Sequence, residues 1–425
     1  MAVLSDSSLE KNPDQDRTGE PSLGNVAEPG SVPEAPEGGN KAWLSLLGAS
    51  TAMFVSFGWV NCIALFQAEY ETNQLKKYSP STVSWITSME SGRMFDNYGP
   101  RLPVAIGTFM HVFGLMMTSL SKEYYQFALS QSVCSGIGAS LIFTPCMTAP
   151  MTYFRKKRAI AGGLAIAGSS LGGVIFPLMA SHLIPKIGFP WTMRACAFMI
   201  LGLLVITNLT ISSKLVHHPK PFRISQYVGP LKETDYILMC ASSFFLYWGM
   251  FVPFDYIVSA GIHYGLSPSV AFNLIPILNG TSFIGRTVPN VLADKFGRFN
   301  VMIIMVVFSL IIVLALWLPG RSEGAIITFA ALFGIGSGAC IGLGPVLIMG
   351  ISPIQEVGYR MGTIFAIAGI GALTSPPIGG AIAQISENGD YNFACVFSGA
   401  NYFISVVFII ILRARVVGWK ITANG

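Results

Sequence analysis

Long apolar runs separated by short polar segments dominate the sequence. Eleven of these runs are about 20 residues or longer, which is the length that an α-helix needs to cross the ~30 Å hydrocarbon core of a bilayer. Because lipid offers no hydrogen-bond partners to an open backbone, the runs are predicted to be helices. The pattern therefore predicts an all-α membrane protein with spans at residues 43–66, 102–121, 124–150, 159–184, 191–213, 235–262, 268–292, 300–319, 324–350, 358–384 and 391–412.

The polar segments divide the chain into five parts. Residues 1–42 are rich in Pro, Gly and Ser and carry eight acidic and three basic side chains. They are predicted to be a disordered tail, because they cannot bury enough apolar surface to fold. The long polar stretch 214–234 is predicted to link an N-terminal helical bundle, 43–213, to a C-terminal bundle, 235–413, and residues 414–425 are predicted to be a second tail.

Basic residues recur after every second span. The clusters are Arg155–Arg158, Lys214–Lys232, Lys295–Arg298 and Arg413–Lys420. By the positive-inside rule these loops face the cytoplasm, which places both tails and the linker there as well. We expect a multi-pass protein of the plasma membrane.

The composition narrows the range of functions. Apolar residues make up 52% and charged residues 11% of the 425-residue chain, whereas a soluble domain carries about a quarter charged residues. An ordinary soluble enzyme is therefore excluded. The formal net charge is +5, and the basic side chains lie in short loops between apolar runs. This distribution fits a protein of the lipid bilayer and not one that binds nucleic acid. Neither the seven cysteines nor any other residues have the spacing of a metal site or a catalytic set, so we expect no enzyme, metal, cofactor or obligate protein partner.

Two motifs occur twice, in the same order. Residues 96–101 and 294–298 both contain an aspartate, a glycine three residues on and an arginine shortly after. An Ala-Ile-Ala-Gly tetrapeptide stands at 165–168 and again at 366–369. The offsets are 198 and 201 residues, so the repeat predicts two similar halves, as in one large class of transporters.

These motifs resemble those of the major facilitator superfamily, whose characteristic loops lie between spans two and three and between spans eight and nine. The chain more narrowly resembles the fungal branch of the monocarboxylate porter family. The residues that carry this narrower resemblance are Glu37–Trp43, Tyr153–Ala165 and Phe283–Arg286. The resemblance covers residues 37–415. It implies a two-bundle fold of twelve helices and transport by rocking of the two halves around a central site.

Eleven apolar runs are one fewer than the resemblance implies, and the shortfall lies at the second span. The residues between Pro80 and Gly92 reach only ~18 Å even as a helix, well short of the hydrocarbon thickness. We therefore predict a second helix that is truncated near 80–92. A shortened gene product or a mispredicted exon boundary is the favoured explanation, and a genuine short half-helix is the alternative.

An ionisable side chain inside a span is costly to bury in lipid and is therefore a candidate functional residue. The run 268–292 contains Arg286, and its polar residues are three or four positions apart on one helix face: Asn279, Ser282, Arg286 and Asn290. We expect this polar face to line a water-filled cavity, where the planar guanidinium can bind a carboxylate. In the porter family the arginine of this span is implicated in binding the substrate anion. The alternative is an arginine that reaches the cytoplasmic surface or braces a structural carboxylate.

The chain departs from the porter family at two positions linked to proton coupling. Ser282 stands where the family often has an acidic residue, and Asn61 stands where animal members have a lysine. Asp255 is therefore a candidate for proton coupling, although it could equally cap the outer end of its helix. Tyr247 shares the helix face of Asp255 and is predicted, with Asn61 and the polar face of Arg286, to contact the substrate.

The repeated loops carry four charged residues that are predicted to brace the cytoplasmic gate: Asp96, Arg101, Asp294 and Arg298. Charged hydrogen bonds to helix ends would hold the gate closed in one state and release it in the other.

The leading hypothesis is a secondary active transporter that moves a small organic anion, a monocarboxylate or a carboxylated metabolite, with protons as the candidate coupling ion. One alternative is an efflux transporter for a fungal secondary metabolite. Another is a non-transporting membrane sensor or an inactive truncated transporter.

Overall fold

The computed structural model describes residues 37–60, 94–215, 225–385 and 390–418. All regular secondary structure in these ranges is helical, which confirms the predicted all-α class. The N-terminal half contains α1 (Asn40–Val55), α2 (Phe57–Val60), α3 (Arg101–Thr118), α4 (Tyr124–Phe127), a π-helical segment (Ala128–Ser135), α5 (Gly136–Met151) and α6 (Arg158–Thr210). The C-terminal half contains α7 (Ser225–Val228), a 3-10 turn (Pro230–Lys232), α8 (Thr234–His263), α9 (Pro268–Phe296), α10 (Arg298–Ile312), a second π-helical segment (Val313–Trp317), α11 (Glu323–Gly350), α12 (Val357–Ile385) and α13 (Asn392–Val416).

The described helices account for the eleven predicted spans. Within the described ranges, nine candidate spans are long and apolar enough to cross a membrane. One of them is the 53-residue helix α6, which holds two predicted spans and bends at Gly188, where φ is 76° and ψ is 164°. Glycine adopts this left-handed region at no steric cost, and Pro185 and Pro190 on either side remove backbone donors at the bend. Helix α9 is the eleventh span, and its polar residues keep its hydropathy below that of the others.

Several predictions concern residues that lie outside the described ranges. These are the N-terminal tail as far as residue 36, Asn61, the truncated second span near 80–92 and the last residues of the C-terminal tail. What the structure describes of the second helix begins with a short helical segment at 94–98, in which the Phe95 side chain is fully buried.

The helices of each half pack mainly on one another. In the N-terminal half α1 packs on α6 and α3 packs on α5. In the C-terminal half α8 packs on α12 and α13, while α9 and α10 pack on α11. The largest contact between the halves is formed by α6 and α9, so any site between the halves is built around these two helices.

Close approach of α6 and α9 depends on a glycine. A Cβ atom added at Gly163 on α6 would lie 2.4 Å from the Arg286 carbonyl oxygen and 2.7 Å from the Cβ of Asn290. Distances this short force the neighbouring atoms to move, so a larger residue would separate the two backbones. The Gly-rich stretch of α6 therefore sets the depth at which the side chains of α9 reach the other half.

Candidate functional site

Arg286 lies between the two halves. It sits within α9, and its side chain is 1% exposed. Its Nη1 donates to the carbonyl oxygen of Ile166 at 3.3 Å and to the hydroxyl of Ser169, both on α6. The Cζ atom lies 5.8 Å from the centre of the Phe57 ring. The alternative that this arginine reaches the surface is wrong, because the guanidinium is held inside by the opposite half.

The charge of Arg286 is only partly satisfied. Its buried Nε has no hydrogen-bond partner in the described part of the chain. Within the same ranges no carboxylate lies within ion-pair distance of its guanidinium, so the alternative of a structural carboxylate partner finds no support there. Burying a charge without a counter-charge is costly in an apolar environment. The arrangement leaves an N–H donor and a positive charge that an anion can satisfy.

The polar stripe of α9 faces α6 and not open water. All four of its side chains are at most 1% exposed, so in this conformation the predicted water-filled cavity does not reach them. The Ser282 hydroxyl lies 2.7 Å from the hydroxyl of Ser170 on α6. Asn279 and Asn290 donate to carbonyl oxygens of their own helix, at 3.1 Å and 2.8 Å. Ser282 and Arg286 therefore reach across to the N-terminal half through side-chain hydrogen bonds.

Tyr247 and Asp255 are the two candidates on α8, and they lie about two helical turns apart. The half-buried Tyr247 ring lies 6.1 Å from Phe251 and 6.5 Å from Phe365 on α12, and its hydroxyl interacts with the charge of Arg286. Asp255 is exposed, and the described residues offer it no ion-pair partner. The alternative that Asp255 caps its helix is wrong, because α8 continues to His263.

Asp294 caps a helix of the opposite half. Its two carboxylate oxygens accept hydrogen bonds from the backbone N–H groups of Ala159 and Ile160, at 3.1 Å and 2.9 Å. These N–H groups belong to the first turn of α6, where the backbone has no helical acceptors and the helix dipole favours negative charge. The carboxylate therefore ties the end of α9 to the beginning of α6.

Asp96 makes the equivalent contact in the other direction. Its carboxylate accepts from the backbone N–H groups of Gly358 and Tyr359, at 3.0 Å and 2.7 Å, in the first turn of α12. Each half thus supplies an aspartate that caps a helix of the other half. The two caps sit at corresponding places of the sequence repeat, which makes them a pseudo-symmetric pair.

The two predicted arginines of the gate differ in the structure. Arg298 donates to Asp294 at 3.3 Å and to the Arg155 carbonyl oxygen at 2.8 Å, so it braces the cap of α6. Arg101 is exposed at the first residue of α3, and no partner for it is found within the described ranges. Asp96, Asp294 and Arg298 are therefore brought to the contact between the halves, and Arg101 is not.

A further carboxylate holds the loop between α5 and α6. Glu37 accepts from the backbone N–H groups of Arg155, Lys156 and Lys157, at 3.0, 2.6 and 3.2 Å. Next to it the Trp43 ring lies edge-on to Phe154, with centroids 5.8 Å apart. Partial burial raises the pKa of Glu37, but the three backbone hydrogen bonds outweigh this effect, so the pKa lies below its ordinary value. The segment before α1 is thus fastened to the loop between α5 and α6.

Sequence reasoning missed several of these residues. Ser169 and Ser170 provide the contacts of α6 to Arg286 and Ser282, and the signal for them was available, because both are polar residues in the middle of an apolar run. The sequence presents Glu37 only as part of a family motif and indicates no contact for its carboxylate. The half-buried rings of Phe57 and Phe143 carry no distinctive signal, since aromatic residues are common throughout the spans.

The fold and the site define a multi-pass membrane transporter of small molecules and not an enzyme. A polar centre is buried between two helical halves, and paired contacts at one end join the halves. The model of the Major Facilitator Superfamily matches residues 48–324 and 284–423. The chain belongs to this superfamily.

Comparison with known proteins supports the same assignment. The chain is 62% identical over 433 residues to the MFS-type transporter opdF of Penicillium oxalicum, covering 99% of this chain and 100% of that protein. It is 41% identical over 386 residues to the fujikurins efflux protein of Gibberella fujikuroi, covering 88% of this chain and 83% of that protein. The fold is similar to that of the transporter FucP in an outward conformation, with a TM-score of 0.65, 13% identity and coverage of 87% and 98% of the two chains. The narrower resemblance to the monocarboxylate porters stays a prediction.

Removing one cap is expected to loosen the contact between the halves. In Asp294→Ala the first turn of α6 loses its acceptors, and loss of such a cap costs about 1 kcal/mol, or a factor of about five in population. Nitroxide labels can be placed at the exposed Lys156 and Gln355. Double electron–electron resonance between them should then show a larger fraction of molecules with a longer distance between the labels. Arg101→Ala is the control, and an equal shift in both variants would contradict the assignment.

Loss of Glu37 is expected to free the loop before α6. In Glu37→Ala the amides of residues 155–157 should exchange with deuterium faster, whereas Glu123→Gln, an exposed change elsewhere, should leave them unaltered. Because the folded pKa is lowered, the contact is fully present above the ordinary carboxyl pKa of 4.5 and is lost as the pH falls through the lowered value. The difference from wild type should therefore be constant between about pH 5 and 8; unchanged exchange in Glu37→Ala would refute the contact.

Proposed function

We propose that the protein exports a small anionic secondary metabolite across the plasma membrane by alternating access. The observation that carries this proposal is Arg286, a buried cation between the halves with an N–H donor that the described residues leave unused. Similarity to a protein named for efflux of fujikurins favours export over uptake. A carboxylated metabolite suits the guanidinium, because a planar fork of donors matches a carboxylate.

In the proposed cycle, the two aspartate caps form the cytoplasmic gate. Asp96 and Asp294 hold the halves together at the end of the helices that carries Arg155 and Lys295, which the positive-inside rule assigns to the cytoplasm, with both termini on that side. Each cap is worth about 1 kcal/mol, so the pair can form and break during transport. When the caps release, α6 and α9 separate at this end and the stripe around Arg286 becomes accessible from the cytoplasm.

Protons are the proposed coupling ion, with Asp255 as their carrier. Its exposed carboxyl group lies beyond Phe251 on the side of α8 that carries Tyr247. A carboxyl group within a span can bind and release a proton as its surroundings alternate between water and protein.

Arg286→Gln tests the export proposal. Inside-out vesicles that contain the full chain are given a panel of aryl carboxylates and their neutral amides, and accumulation is measured by mass spectrometry. We expect uptake of carboxylates and not of amides by wild type, and a loss of at least tenfold in Arg286→Gln. Arg286→Lys should retain part of the flux because it keeps the charge but loses the fork.

The matched control for this experiment is Arg194→Gln, which removes an arginine whose guanidinium packs on Trp191. Flux that survives Arg286→Gln, or that falls equally in Arg194→Gln, contradicts the assigned role. Binding of a carboxylate without any flux by wild type would favour the sensor alternative.

Asp255→Asn tests the coupling. We expect anion flux to continue at a reduced rate but to lose its response to an imposed pH gradient, because the amide cannot carry a proton. Flux with and without the gradient is measured in the same vesicles. Asp235→Asn, on the same helix and paired with Arg415 at 2.6 Å, is the control; a gradient response that persists in Asp255→Asn would rule this residue out.

A further inference from the structure

We propose that the central site selects flat, conjugated anions over saturated anions of the same size and charge. The proposal rests on the export function proposed above and names the class of its substrate. It is carried by a separate observation: a chain of aromatic rings from both halves begins and ends beside the guanidinium.

Four rings form what we call the aromatic belt: Phe57 on α2, Phe143 on α5, Phe365 on α12 and Tyr247 on α8. Successive ring centroids are 5.9, 5.4 and 6.5 Å apart. Arg286 closes the circuit, because its Cζ lies 5.8 Å from the Phe57 ring and its charge interacts with the Tyr247 hydroxyl. Two rings come from each half, so the belt crosses the contact between the halves at the Phe143–Phe365 pair.

The four residues of the belt are less enclosed than the aromatic residues of the helix core. All four of its rings are half-buried, whereas Arg286 behind them is 1% exposed. Rings that served only as packing between helices would be closed off, as Phe329 and Phe333 on α11 are, each at 0% exposure. The belt residues therefore keep accessible surface at the contact between the halves, which is where we place the substrate.

The aromatic surface continues from the belt toward Asp255. On α8 the ring of Phe251 lies 6.1 Å from Tyr247, and the ring of Phe254 lies 5.8 Å from Phe251. A flat molecule that leaves the belt thus meets further ring surface along the same helix. Arg286 lies at one end of this ring surface, and Asp255 directly follows Phe254 on α8 at the other.

The chemistry of the belt favours conjugated anions. Aromatic rings attract one another in offset and edge-to-face arrangements, and each such pair adds to affinity beyond the area buried. An aryl carboxylate can therefore place its charge on Arg286 and its ring against the belt. A saturated ring of the same size buries a similar area but has no quadrupole, so two ring pairs correspond to a preference of about tenfold.

Binding of a matched pair of acids tests this inference. Purified full-length protein is titrated with 1-naphthoate and with decahydro-1-naphthoate, which have the same carbon skeleton and charge. We expect wild type to bind the naphthoate about tenfold more tightly. Phe143→Leu and Phe365→Leu should each lower this ratio toward one, because each variant removes a ring that can pair with the naphthoate and not with the saturated acid. Phe109→Leu, on the outer face of α3 with 69% exposure, is the control.

The outcomes distinguish failure of the aromatic preference from failure of the proposed anion site. Equal affinities in wild type, or a ratio unchanged in both belt variants, would overturn the aromatic preference; if both acids then still depend on Arg286, the anion site itself stands. If neither acid binds, both proposals fail. The wild-type ratio requires no substitution, and Tyr247→Leu is a further belt variant if one of the phenylalanine variants does not fold.

Discussion

A positive charge buried between two helical halves, with no carboxylate to balance it in the described part of the chain, constrains the rest of this structure. Arg286 can be accommodated only where α6 supplies a carbonyl and a hydroxyl to its guanidinium, and that requires the close approach that Gly163 permits. The glycines of α6, the serines beside them and the polar face of α9 therefore form one arrangement. The proposed substrate anion would bind the guanidinium through its unpartnered N–H group and balance its charge.

The proposed gate also depends on a small number of contacts. Asp96 and Asp294 each satisfy two N–H groups that a helix start leaves without acceptors, and each does so for the opposite half. Breaking one cap therefore exposes backbone groups on one half and a carboxylate on the other, and both can be hydrated at the membrane surface. This gives a contact that is specific yet weak enough to reverse, which a rocking motion requires. Glu37 extends the arrangement to the segment before α1.

Much of the fold could be predicted from the sequence, because lipid imposes long apolar helices. Hydropathy predicts the spans, and a charged residue within an apolar run identifies Arg286. The sequence repeat identifies Asp96 and Asp294 as equivalent positions. What covers a helix face could not be predicted: the spacing of Asn279, Ser282, Arg286 and Asn290 defines a face, but it does not say that α6 lies against it. Contacts between distant segments, such as that of Glu37 with the loop before α6, leave no periodic signal in one sequence.

The uncompensated guanidinium also has an electrical consequence. Arginine stays protonated, so in the proposed cycle a monoanion that binds at Arg286 lowers the charge of the centre by one elementary charge. A transmembrane voltage acts on a moving charge with about 2.3 kcal/mol per elementary charge per 100 mV. The voltage would then act differently on the return of the vacant carrier and on the passage of the carrier that holds the anion. The resting potential of the cell would thus govern how often the transporter resets.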